Sequence, residues 1–434
     1  MAAITIAETD HCRSVAPVHT PVSQSLHENG GQPGGERPRE TIMKLALIGF
    51  GQAGGKIVDE FLAYDSAIDN SFVEAAIAVN SATTDLQGLD RVPQKNRVLI
   101  GQARVKGHGV GADNELGAEV TEADIDEIQG AIDRIQVHEI DAFLIVAGMG
   151  GGTGSGGAPV LAQHLKRIYT EPVYGLGILP GTDEGGIYTL NAARSFKTFV
   201  HEVDNLLVFD NDAWRSAGES VGSGYDRINR EIVERFGLLF AAGEVGHGDH
   251  VAESVVDSSE IINTLGNGNG NGNGISTIGY ASEVIEDDSS GLLSSLRSET
   301  EFDEGTATNR MTSLVRKSTL GRLTLPADAA SADRGLVVAT GPPEHLNRKG
   351  VERGRQWLED ETGSMEIRGG DYPLPGEDEV GAVVLLSGVT DVPRIDQLQQ
   401  VAIEAQETTE NVRARAQDDF ASLVDTGGEL DALF

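Results

Sequence analysis

Between Lys44 and Asp210, short continuous apolar runs alternate with longer stretches in which apolar residues recur every three or four positions. The runs Lys44–Gly49, Val73–Asn80, Arg97–Ile100, Asp141–Ala147, Pro172–Leu179 and Asn205–Asp210 are bounded by polar or Gly-rich clusters and read as buried strands. Strands alternating with helical segments predict an α/β fold: a mostly parallel sheet covered by helices, with ligands at the carboxyl ends of the strands. Ile228, Ile232, Val233 and Phe236 repeat at helical spacing and predict one long helix over Tyr225–Phe240, weakened at its far end by Gly237 and Gly243. A second helix is expected over Val255–Leu265, then a strand over Ile275–Ser282. Gly335–Thr340, Ser364–Arg368 and Val380–Leu386 read as strands around a helix at Glu344–Glu361, which gives a smaller α/β C-terminal domain.

Three segments break the pattern. Residues 1–42 are polar and without periodicity, which predicts a disordered extension, and Met43 could be the true start. The alternating Gly and Asn of 266–274 cannot build a core and read as a mobile surface loop, and the acidic, Ser-rich 283–306 as a loop or a frayed helix. The expected organisation is therefore a first domain over 43–224, a central helix over 225–244, a second domain over 245–394, and a helical, then acidic tail over 395–434.

Charge changes the picture of partners. The 434 residues include 68 Asp and Glu against 33 Lys and Arg, for a formal net charge of −35. Such a surface repels nucleic acid and anionic lipid, and suits a protein kept soluble in a high-salt cytosol. The one cysteine, Cys12, excludes an intrachain disulfide or a Cys-based metal site. No apolar run approaches the roughly 20 residues of a membrane span, and the N-terminus lacks the apolar core of a signal peptide, so a cytoplasmic protein without membrane insertion is expected.

The chemistry gathers at the strand ends. Gly150-Gly151-Gly152-Thr153-Gly154-Ser155-Gly156-Gly157 follows the fourth strand and precedes a helix expected to open at Pro159. A loop there presents a row of backbone N–H groups and two hydroxyls on the positive end of a helix dipole, which suits polyphosphate. Gly49-Phe50-Gly51-Gln52-Ala53-Gly54-Gly55-Lys56 ends the first strand and matches G-x-G-x-x-G, a weak sign of a dinucleotide fold and of an NAD(P)-dependent oxidoreductase. The second strand, however, ends Val79-Asn80-Ser81, where a dinucleotide binder would place an acid for the ribose. Two glycine loops at one sheet edge suit a triphosphate better, and no G-x-x-x-x-G-K-[ST] is present.

GQAGG near the start with GGGTGSGG about a hundred residues later resembles the tubulin/FtsZ superfamily. GFGQAGGK, GMGGGTGSGGAP and PGTDEGGIYTLNAARSF resemble its archaeal CetZ branch over residues 43–390. The resemblance implies a parallel-sheet GTPase domain, a long central helix and a smaller α/β domain. It implies GTP or GDP held with Mg²⁺ through the phosphates. Gln52, Ala53, Gly54, Gly55 and Lys56 would line the phosphates, Gly152, Thr153 and Gly154 the outer ones, and Gly109, Val110, Gly111 and Ala112 would close over the γ-phosphate. Glu184 and Asn211 would bind ribose and base. Tyr225 and Asn229, four apart on a helix, share a face, so that a ring can stack on a purine while an amide reads its edge. Asn211 could equally cap a turn in Asp210-Asn211-Asp212, and Tyr225 could be core.

Asp257 and Glu260 lie three apart at a helix start, a spacing that fits a capping arrangement as well as a paired acid site. By resemblance, this pair is inserted into the next subunit's nucleotide pocket and polarises the attacking water. Val255 stands where the FtsZ branch has Asn. Catalytic groups on the far face require head-to-tail stacking, a contact that does not close and so builds a homopolymer. The implied role is a GTPase cytoskeletal filament controlling cell shape and motility. Alternatives are a scaffold with structural, unhydrolysed GTP and an FtsZ-like division role. The tail Glu429–Phe434 is the expected contact for a membrane-linking partner protein.

Overall fold

The computed structural model describes residues 42–215, 221–243, 255–266, 274–285 and 304–405. Nearly all of the expected extension, the Gly/Asn repeat at 267–273, most of the acidic stretch and the tail beyond 405 lie outside the described residues. The strands are β1 (Leu45–Phe50), β2 (Val73–Asn80), β3 (Arg97–Leu99), β4 (Ala142–Gly148), β5 (Val173–Leu179), β6 (Asn205–Asp210), β7 (Gly274–Val284), β8 (Arg334–Gly341), β9 (Ile367–Pro373) and β10 (Glu379–Ser387). They form a ten-stranded sheet in the order β3-β2-β1-β4-β5-β6-β7-β10-β8-β9. From β3 to β7 in that order the pairings are parallel, while β10 runs antiparallel to both β7 and β8. The C-terminal strands thus extend the same sheet, joined where β6 meets β7 over Asn205–Leu207 alone. The chain runs outward from β1 to β3 and returns to β4, so the strand order reverses between β1 and β4, the strands that carry the two glycine loops. In open α/β sheets a crevice for ligands forms at that reversal.

The helices that bear on the site are α1 (Gly51–Asp65), α2 (Asn114–Ala123), α3 (Thr153–Ile168), α4 (Gly186–Glu202), α5 (Val221–Phe240), α6 (Ser258–Leu265), α7 (Glu304–Leu320), α8 (Arg348–Thr362) and a helix over 393–405, here α9. One sheet face is covered by Leu161 and Leu165 of α3, Phe199 of α4, Leu314 of α7 and Leu358 of α8. The other is covered by Ile57 and Phe61 of α1, Ile232 and Phe236 of α5 and Ile261 of α6. Each such side chain contributes roughly 2–3 kcal/mol by leaving water.

Several boundaries differ from expectation for local reasons. α5 starts before Tyr225, at Val221. α6 begins at Ser258 because Asp257 is its N-cap, accepting the Glu260 N–H at 3.0 Å, while Val255 pairs with Asp371 of β9. α8 begins at Arg348, where Asn347 caps it, and a 3₁₀ turn at Pro343–His345 occupies the segment expected to open the helix. β9 starts three residues late because Gly363, at φ +68°, ends α8 and Ser364 bonds back to Thr362. β7 runs on to Val284, into the expected loop, and the polar α7 escaped the periodicity reading altogether.

The largest correction concerns the glycine loop. α3 begins at Thr153, not at Pro159, so Gly154, Gly156 and Gly157 are helical residues rather than loop. They are glycines because neighbouring atoms come too close for a side chain. A Cβ on Gly156 would lie 2.0 Å from the Asn114 carbonyl oxygen, and one on Gly157 would lie 2.3 Å from the Phe50 ring. We expect Gly156→Ala to lower stability by about 3 kcal/mol through this overpacking, read from denaturant unfolding at high salt. Unchanged stability would show that α2 can move aside.

Candidate functional site

The crevice at the β1/β4 reversal is a cavity of about 980 Å³, within the range of ligand pockets. Gln52, Ala53, Lys56, Gly109, Val110, Gly111, Ala112, Gly152, Thr153, Gly154, Glu184, Asn211, Tyr225 and Asn229 all line it. Of the expected nucleotide residues, Gly54 and Gly55 do not. They face inward from α1: a Cβ on Gly54 would lie 2.0 Å from the Val146 carbonyl oxygen of β4, and one on Gly55 would touch Leu89. Gly54 lets α1 lie on the sheet, whereas a side chain at Gly55 would make only ordinary contact.

Two helix N-termini meet at the cavity floor. Gly51, at φ +73°, turns β1 into α1, and a Cβ there would lie 2.9 Å from the backbone nitrogen of Gly154 at the start of α3. The unpaired N–H groups of both first turns therefore converge, and a bound anion would complete them. The Thr153 hydroxyl lies 2.7 Å from that of Ser81 at the end of β2, which fixes its direction. Opposite, the segment 107–112 carries Gly107, Gly109, Gly111 and Ala112 all at positive φ. For Ala112, at φ +63°, this is a strained backbone. It is held by buried Asn191 of α4, whose amide donates to the Ala112 carbonyl at 2.7 Å and the Gly150 carbonyl at 3.1 Å. That clamp joins the strained segment to the glycine loop.

At the other end, the turn after β6 settles what Asn211 does locally. Asp210 is the cap, accepting the Asp212 N–H at 3.1 Å, whereas Asn211 lines the cavity with its side-chain oxygen buried and unpartnered. A buried acceptor left without a donor is costly, and a ligand N–H would satisfy it. Tyr225, half-buried on the first turns of α5, hydrogen-bonds Glu184; burial first, and then this bond, push its phenol well above the ordinary range. Glu184 in turn accepts the Gly181 N–H at 2.6 Å. Asn229 lies one turn after Tyr225 and faces the same cavity.

Lys56 is the only Lys or Arg among the described lining residues, against the carboxylates of Asp85, Glu184 and Asp226. A polyanion held here would depend on backbone N–H groups, helix dipoles and a divalent cation more than on side-chain cations. No group of three His, Cys, Asp or Glu among the described residues could hold a metal ion alone.

The structure adds residues that spacing had not singled out: Asn80, Thr84, Asp85, His108, Tyr188 and Asp226 in the lining, and Asn191 behind it. Asn80 donates to Asp85 at 3.0 Å and accepts the Ala82 N–H at 3.1 Å, so the residue that argued against a dinucleotide organises the wall beside the glycine loops. Asn191 lies inside the motif PGTDEGGIYTLNAARSF, but nothing in its spacing marks it as a clamp.

Asp257 and Glu260 are not in the cavity. α5 carries Tyr225 and Asn229 at its cavity end and runs for twenty residues, about 30 Å. Beyond its far end, the Ala241 carbonyl accepts from Asn70, Asn70 bonds Tyr372, and the neighbouring Asp371 pairs with Val255 beside the two acids. Glu260 Oε2 is buried without a partner; burial, and next the Asp257 charge, raise its carboxyl above the ordinary value. Within one chain the acids and the glycine loops lie at opposite ends of α5.

Two family descriptions match the sequence: the tubulin/FtsZ family GTPase domain over residues 44–219, and the tubulin-like CetZ C-terminal domain over 218–404. Tubulin-like protein CetZ1 of Haloferax volcanii is 69% identical over 378 residues, which is 86% of this chain and 94% of that protein. A solved structure of CetZ1 from Haloferax volcanii, a GDP-bound monomer, superposes with a TM-score of 0.74 at 66% identity, covering 84% of this chain and all of the other. A GTPγS-bound protofilament of CetZ2 from the same organism also gives a TM-score of 0.74, at 47% identity over 85% of this chain and 100% of that chain.

Proposed function

Because the chain belongs to the CetZ family of tubulin-like proteins, with a GTPase domain of tubulin/FtsZ type, we propose that it is a cytoplasmic, filament-forming GTPase that controls cell shape. GTP lies with its phosphates on the first turns of α1 and α3 and beneath residues 109–112. Its base lies against Tyr225, with Asn229 and Asn211 at its edge. An amide offers both donor and acceptor, as guanine's edge requires. Mg²⁺, held through the phosphates, would supply positive charge to the γ-phosphate.

The carrying observation is that a lined cavity and an acid pair, one member of which has a buried oxygen without a partner, sit at opposite ends of α5 in one chain. Head-to-tail stacking brings Asp257 and Glu260 of one subunit to the cavity of the next, where they orient and deprotonate the attacking water. The GDP and GTPγS bound by the two relatives, and the protofilament formed by one of them, support this reading. A membrane link, where there is one, runs through a partner that recognises 429–434.

Sedimentation with GTP and Mg²⁺ at high salt is expected to yield polymer together with released phosphate. Monomer throughout, with GTP bound, would overturn the filament reading. Val255, tied into the β9 pairing where FtsZ has Asn, favours a second reading in which GTP is structural. Pelleted filaments that retain intact GTP after prolonged assembly would decide for it.

A further inference from the structure

Arg394, on the first turn of α9, is only 6% exposed. An arginine buried so deeply is expensive unless its donors are matched. One Nη donates to the Pro180 carbonyl at 2.8 Å and the other to Gln397 of its own helix at 3.2 Å. Its Nε lies 3.5 Å from the Asp210 carboxylate, and Asp212 stands 4.0 Å from the guanidinium. Asp210 is itself 3% exposed, and burial lifts its carboxyl to about 6 against the pull of Arg394. Ile395 and Leu398 anchor the helix in the core.

The groups that Arg394 holds belong to the two segments closing one end of the cavity. Pro180 and Asn211 are lining residues. Asp210 caps the turn that presents Asn211, and Asp212 accepts from the Thr182 N–H and hydroxyl, each at 3.0 Å, which ties that turn to the segment bearing Glu184. Arg394 therefore braces both walls at once from outside the cavity.

We propose that Arg394 is a positioning residue for the purine, through which α9 sets nucleotide affinity by holding Pro180 and the Asp210–Asp212 turn at the spacing a base requires. This rests on the guanine-nucleotide reading above.

The test uses the full chain at high salt with two probes: fluorescent mant-GDP, and inorganic tripolyphosphate, which has no base. Arg394→Gln removes the buried charge and leaves the Pro180 carbonyl short of a donor. We expect about tenfold weaker mant-GDP binding, mostly through faster release, with tripolyphosphate binding unchanged because the phosphate loops are untouched. If Arg394→Gln does not fold, Arg394→Lys keeps the charge without the two-sided reach and should lose about threefold in the same direction. Equal losses for both probes would mean general loosening and would overturn the proposal, as would wild-type affinity in the variants. Failure of the wild-type chain to bind mant-GDP would remove the guanine-nucleotide reading, and the proposal with it.

Discussion

Asp257→Ala, and separately Glu260→Gln, are expected to slow GTP turnover about 10²- to 10³-fold while leaving nucleotide binding intact. Both side chains lie outside the cavity, so affinity for GTPγS should be that of wild type, and filaments should persist because phosphate is not released. Mixing gives a sharper reading. A variant subunit carries a normal cavity, so in mixed filaments its bound GTP should be hydrolysed by the acids of a wild-type neighbour, and turnover should follow the fraction of wild-type acids. Acidity adds a signature. The Glu260 carboxyl is raised by burial and then by Asp257, so turnover that needs its carboxylate falls with pH earlier than for an ordinary Glu. Asp257→Asn removes one raising charge and should move that midpoint down. The sign for stability is opposite: a raised carboxyl costs the fold free energy at pH values above its folded pKa, so Glu260→Gln should be the more stable protein at neutral pH. Full turnover in both variants would place the chemistry elsewhere.

Gly154→Ala is expected to abolish nucleotide binding, with at least about 100-fold loss of affinity. Its Cβ would lie 2.7 Å from the Gly148 carbonyl oxygen and 3.0 Å from that of Phe50, both backbone atoms at strand ends that cannot yield. The start of α3 would have to rise from the floor and part from Gly51. Since the N–H groups of these two first turns hold the phosphates in the proposed site, the loss should be as large for tripolyphosphate as for GDP, unlike that at Arg394. Isothermal titration with GDP and tripolyphosphate reads both, and wild-type affinity would show that the phosphates do not depend on this junction.

The alternation of buried runs made the sheet legible, because a parallel strand covered on both faces is apolar throughout: β2 and β6 fall where the runs fall, and the others within a residue or so up to β6. α7 was illegible for the complementary reason. Thr308, Ser318 and Thr319 share its buried face with Met311, Leu314 and Val315, while Leu320 is exposed, so polar and apolar residues do not separate along the helical period. Site residues that sit on strand-end glycine runs could be read from order and spacing. Asn191 and Arg394 could not, since each acts on carbonyls distant in sequence, the Gly150 and Pro180 oxygens, and only folding makes those neighbours. The glycine run misled in a specific way. Its composition suits a phosphate loop, yet half of it is glycine so that α3 can nest against α2 and Phe50.

The placement of cavity and acids at opposite ends of α5 also fixes an inequality between the two tips of any filament so built. One tip exposes a loaded cavity that no neighbour has completed; the other exposes bare acids with nothing to act on. An open stack therefore always holds one fewer working centre than it has subunits, so phosphate release per subunit climbs with length, and the most recent arrival at the cavity tip keeps its GTP longest.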